Sequence, residues 1–119
     1  MLYIIGIGLG NEKDISLNGL EVIRNCDAVY LENYTSKLMF KIEDLEKLTE
    51  KKIILAEREL VENGDEILKN AKDKNTALLV KGDVFGATTH TDLYLRAVKQ
   101  GIKTKIIHNT SILTAIGDT

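Results

Sequence analysis

The sequence predicts an α/β domain: a five-stranded, mostly parallel sheet with helices on both faces. Three observations carry that prediction. Five short apolar runs alternate with amphipathic stretches along the chain. The runs are nearly continuous in apolar residues rather than alternating, as strands covered on both faces require. The 119 residues are 44% apolar, enough for one core, with no repeat, low-complexity stretch or linker to divide them.

The elements follow in order. Leu2 to Ile7 is an apolar run that meets glycines, the mark of a buried strand ending in a tight loop. Leu17, Leu20 and Ile23 recur at helical spacing, with Asp14 or Ser16 able to accept a backbone N–H as N-cap. Ala28 to Leu31 reads as the second strand, and Ile42, Leu45 and Leu48 as the stripe of the next helix. Ile53 to Ala56 is the third strand. Gly64 with Asp65 separates Leu60 to Asn63 from a helix striped by Ile67, Leu68 and Ala71. Ala77 to Val80 is the fourth strand; Leu93, Leu95, Ala97 and Val98 form the last full stripe, which Gly101 closes in a left-handed C′ conformation. Lys105 to Ile107 is the fifth strand. A further helical pattern starts at Ser111 and runs to Ile116 shortly before Thr119, which suggests a piece of a longer chain.

Composition excludes several classes of function. The net charge of -2 arises from 16 basic and 18 acidic residues spread along the chain, so no basic stripe marks a nucleic-acid or anionic-membrane partner. No apolar run approaches the roughly 20 residues that span a bilayer, and no secretory leader pattern opens the chain, so a soluble cytoplasmic protein is expected. The single cysteine, Cys26, permits no internal disulfide and reads as a small buried hydrophobe at a helix end. Cys26, His90 and His108 lie in separate segments, a pattern that offers neither a metal-ligand cluster nor an activated nucleophile.

Ligands of open parallel sheets settle outside the carboxyl ends of the strands, and three loops occupy that edge. The first, GIGLGNEKD, holds Gly6, Gly8 and Gly10. A dinucleotide fingerprint would need a glycine at position 11, where Asn11 stands, although Glu32 falls about where an acidic ribose ligand would. The glycines alone are equally compatible with a bare turn. The second, KGDVFGATTH from Lys81 to His90, sets the Asp83 carboxylate among glycines and threonines. It forms either a polar cradle for a small molecule or a loop whose carboxylate satisfies its own amides. The third, HNTSILTAIG, offers Asn109, Thr110 and Ser111 as helix caps or as ligand donors.

The opening LYIIGIGLGNEKDISLNGLE, VYLENYTS at Val29 to Ser36, GDVFGATTH at Gly82 to His90 and GIKTKIIHNTSI from Gly101 resemble the N-terminal domain of the diphthine synthases. These are tetrapyrrole-methylase-like methyltransferases, and the resemblance covers essentially all 119 residues. It implies that residues 1–119 form an S-adenosylmethionine-binding α/β domain whose cleft is completed by a C-terminal domain absent from this chain. Leu9, Asp83, Gly86, Ser111 and Ile112 are the cofactor contacts it implies, with no metal. The implied substrate is elongation factor 2 bearing a histidine extended with a 3-amino-3-carboxypropyl group, methylated on its amino nitrogen by a homodimeric enzyme. No catalytic residue follows from the motifs; Glu32, Tyr34, Thr35 and Ser36 form the polar segment that would face the substrate. Val84 departs from the family, which has proline there, and leaves the loop less fixed. Two other readings stay open: a porphyrinoid methyltransferase domain, and a non-catalytic nucleotide-binding module.

Overall fold

The computed structural model describes residues 1–7, 15–32, 42–80 and 88–108. Strands β1 (Leu2–Gly6), β2 (Ala28–Glu32), β3 (Ile54–Ala56), β4 (Thr76–Val80) and β5 (Thr104–Ile107) form one sheet in the order β3-β2-β4-β1-β5. Every pairing in it is parallel, a stricter arrangement than the mostly parallel sheet expected. The helices are α1 (Leu17–Arg24), α2 (Ile42–Thr49), α3 (Arg58–Asn63), α4 (Asp65–Asp73) and α5 (Thr88–Lys99).

Side-chain alternation divides the core between two faces. On one face Leu2, Ile4, Tyr30, Leu78 and Val80 pack with Val61 of α3, Ile67, Leu68 and Ala71 of α4, and Leu93 and Ala97 of α5. On the other, Ile5, Val29, Leu31, Ala77 and Leu79 pack with Ile23 of α1 and Leu45 of α2. Connections that move toward β3 therefore cross one face and those that return cross the other, as right-handed crossovers require.

Burial follows position in the sheet. β4 is buried at every residue because it has a strand on each side and helices above and below. The edge strands depart from the expectation of five buried strands: Ile54 and Leu55 of β3 are 46% and 45% exposed, and Lys105 of β5 is exposed. An edge strand has a neighbour on one side only, and apolar composition alone does not reveal which strands are edges.

Helix signals fared unevenly. The Ser16 side chain caps α1 by accepting from the Gly19 N–H at 3.0 Å. Gly64 (φ 73°) turns the chain between α3 and α4. At the end of α5, Gly101 (φ 75°) donates to the Val98 carbonyl and Ile102 donates to that of Ala97, the paired bonds of a Schellman motif. Three stripe residues were expected in the core and are not: Leu17, Leu95 and Val98 are 86%, 58% and 52% exposed. Leu17 is the first residue of α1, and Leu95 and Val98 flank the Leu93–Ala97 line that meets the sheet.

Polar links brace the helices. Arg24 donates to the Leu48 carbonyl at 2.8 Å and pairs with Glu50 at 3.3 Å, joining α1 to the end of α2. The buried Tyr30 hydroxyl donates to Glu66 at 2.9 Å and accepts from Asn70 at 2.6 Å, tying β2 to α4. At the amino edge the Met1 ammonium donates to the carbonyls of Ala71 and Lys74, at the end of α4.

Candidate functional site

Parallel strands deliver all their carboxyl ends to one edge, and the register fixes what stands there. Glu32 pairs with Ala56, and Gly6 pairs with Val80. Leu31 pairs with Leu79, so Glu32 sits beside Val80; Ile5 pairs with Ile107, so His108 follows β5 beside Gly6. The last row of the sheet therefore reads Ala56, Glu32, Val80, Gly6, His108.

Strand order gives this row its meaning. β4, β1 and β5 are neighbours, so the GDVFGATTH, GIGLG and HNTSI loops leave the sheet side by side although 70 and more residues separate them in sequence. The Ile7 N–H donates to the Val80 carbonyl at 2.9 Å, joining the stems of the first two loops. The chain after β1 turns to the α1 face and the chain after β4 turns to the α5 face. Adjacent strands whose connections part in this way open a crevice between them, the usual ligand position in such sheets. Gly6, lying between Val80 and His108, adds no side chain to it.

The residues named from the resemblance, Leu9, Asp83, Gly86, Ser111 and Ile112, lie outside the described residues, as do Tyr34, Thr35 and Ser36. What the structure supplies is the placement of their stems: Ile7 and Val80 are 1% and 0% exposed and hold two of the loops to the core.

Glu32 differs from both sequence readings of it. It is 0% exposed and engaged within the chain, so it is neither a solvated strand-end charge nor a carboxylate presented to a ribose. Ala56, the small residue beside it, and the helices over that face leave it no surface. His108 is the residue that motif reasoning undervalued: weighed only as a metal ligand, it stands exposed at the ligand edge. Its position is legible only once β5 is placed next to β1.

Cys26 is 1% exposed, and burial, with the Asp27 charge second, pushes its thiol up to about 11, which suits a packing role. Among the described residues no group of three His, Cys, Asp or Glu side chains could hold a metal ion. The two concavities found there lie at the other edge of the sheet, one lined by Met1, Ala71 and Gly101 and the other by Tyr3, Asn25 and Asn75.

An open, doubly wound sheet with three loops converging over β4, β1 and β5 is the architecture of a small-molecule-binding α/β domain. The family model described as Tetrapyrrole (Corrin/Porphyrin) Methylases matches residues 1–118, and the chain belongs to that family. Within it, the chain is 58% identical over 118 residues to a Bos taurus protein named diphthine methyl ester synthase, covering 98% of this chain and 41% of the relative. The Homo sapiens protein of the same name is 55% identical, with 98% and 41% covered. A crystal structure of diphthine synthase superposes with a TM-score of 0.93 at 44% identity, covering 99% of this chain and 48% of that one. The chain thus spans less than half the length of these relatives.

Proposed function

We propose that the chain is the S-adenosylmethionine-binding domain of a methyltransferase that acts on the modified histidine of elongation factor 2 in diphthamide biosynthesis. The observation that carries this reading is 58% identity to a diphthine methyl ester synthase across 98% of the chain. The geometry is compatible with it: three neighbouring strands deliver the three loops whose Leu9, Asp83, Gly86, Ser111 and Ile112 would hold the cofactor, around a strand end that Gly6 leaves without a side chain.

S-adenosylmethionine, when bound, supplies an electrophilic methyl on sulfur. The chain's own task is therefore alignment rather than activation of that methyl, and a triad is not required. Backbone-rich loops on a buried parallel sheet suit that task, because the strand stems cannot shift without disturbing the core. The relatives' name adds something to the N-methylation expected from the motifs: a methyl ester needs a carboxylate oxygen as a second nucleophile. We therefore include ester formation on the 3-carboxyl group in the proposal.

The enzyme would work in the cytoplasm as a homodimer and without a metal; no helix among the described residues is long and apolar enough to cross a membrane. The second reading is methylation of a porphyrinoid, which the family's description favours. Mass spectrometry separates the two. A chain of the relatives' full length, given isotopically labelled cofactor, is expected to add methyl masses to unmodified-to-diphthine intermediates of elongation factor 2 and none to a porphyrinoid. Label on the porphyrinoid alone would overturn the proposal.

A further inference from the structure

From the layout of the carboxyl edge we infer that His108 takes the proton from the substrate amine before it is methylated. The inference rests on the proposed function and asks what that reaction needs from the protein. An alkylammonium has no lone pair, so each N-methylation must be preceded by loss of a proton, whereas a carboxylate at neutral pH is ready to attack as it stands. A base is therefore required for one of the two methylations and not for the other.

Few described residues at the ligand edge can serve. Glu32 is completely buried, so a substrate amine cannot touch it. Glu57, after β3, is exposed, but it lies at the far edge, separated from β1 by β2 and β4. A carboxylate is also, as a class, a weaker base than an imidazole. His108 is exposed, follows β5 directly and neighbours Gly6 through the Ile5–Ile107 register. Continuing the strand alternation past Ile107 puts it on the side of Ile106 and Val80, about 14 Å from Glu32 across three strand spacings. It also immediately precedes the HNTSI loop, so a ligand held by Ser111 and Ile112 would lie within a few residues of its ring.

The step balances without another reactant. One ammonium N–H bond breaks as a bond from that proton to a ring nitrogen of neutral His108 forms. The freed nitrogen pair then takes the methyl as its bond to sulfur breaks, the neutral thioether leaves, and the imidazolium returns its proton to water. Other titratable residues on the elements packed there are Lys105 on β5, Tyr3 on β1, and His90, Asp92 and Tyr94 on α5.

The test uses a chain of the relatives' full length and its His108→Gln variant, with His90→Gln for comparison. S-adenosylmethionine affinity is measured by calorimetry, and N-methyl and ester products are counted by mass spectrometry across pH. The expected result is unchanged affinity in H108Q, N-methylation slowed about 100-fold or more with its acidic limb abolished, and ester formation kept. N-methylation within threefold of wild type with the limb intact, or a limb removed by H90Q instead, would overturn the role of His108. So would parallel loss of both products and of cofactor affinity, which would make His108 a support of the cofactor loop. A wild-type chain that neither binds cofactor nor methylates would instead refute the proposed function itself.

Discussion

Replacing Tyr30 with phenylalanine should cost stability in two separable ways. The ring is 1% exposed, so its packing is kept, and only the hydroxyl that joins Glu66 and Asn70 is removed. Those partners are partly buried and can turn to water, so the neutral-pH loss is about 1–2 kcal/mol, the net worth of one to two hydrogen bonds, one of them to a carboxylate. The second cost depends on pH. Burial, then the hydrogen bond to Glu66 and its charge, push the Tyr30 hydroxyl from 10.0 up to about 12. A raised value means that the folded state holds this proton more tightly than the unfolded chain. The stabilisation is complete below pH 10, and it declines as pH rises, because the unfolded state then gains by ionising first. The decline is about 1.4 kcal/mol per pH unit, or roughly 3 kcal/mol by pH 12. Urea unfolding of the wild type and Y30F between pH 8 and 12 measures both. The buried Cys26 thiol, raised from 9.0 to about 11, produces a limb of its own, but it is common to both proteins and cancels in their difference. The difference should be about 1–2 kcal/mol up to pH 10 and shrink or reverse above it. A difference constant to pH 12 would show that the hydroxyl is not held between Glu66 and Asn70.

Other substitutions test the packing. Thr76 is 0% exposed, and its hydroxyl has no hydrogen-bond partner among the described residues; Thr76→Val should raise stability by about 1–2 kcal/mol, seen as a higher melting temperature. A lower one would mean that the hydroxyl is satisfied. Gly64 and Gly101 share a left-handed φ, but a Cβ at Gly64 would stand 2.9 Å from Leu93 Cδ1 while one at Gly101 meets nothing within 4 Å. Gly101→Ala should therefore cost about 1–2 kcal/mol of backbone strain, and Gly64→Ala about 1–3 kcal/mol more. Equal losses by denaturant titration would contradict the packing of α5 on that turn.

Much of the fold was legible because local chemistry and tertiary demand agree. Apolar runs such as Ala77 to Val80 can only be strands in a chain this short, and Ser16, Gly64 and Gly101 announce helix ends by what their side chains, or the lack of one, allow. Strand order was not legible. It determines that Ile54 and Leu55 lie on an edge, that Glu32 is covered, and that His108 reaches the row of Gly6. Leu95 and Val98 show a related limit: a helical stripe gives the direction of the core but not its width. The Tyr30–Glu66–Asn70 link spans 36 to 40 residues and leaves no trace in local spacing. For the site, motifs named the ligand loops through resemblance, and the sheet explains why loops so far apart in sequence converge.

The most direct test of the proposed function is calorimetric titration of S-adenosylmethionine into a chain of the relatives' full length and into its Asp83→Asn variant. One cofactor per chain, with affinity at least tenfold weaker in the variant, is expected from a charge-assisted contact in the loop after β4. No binding by the unmodified chain would contradict a cofactor site over β4, β1 and β5.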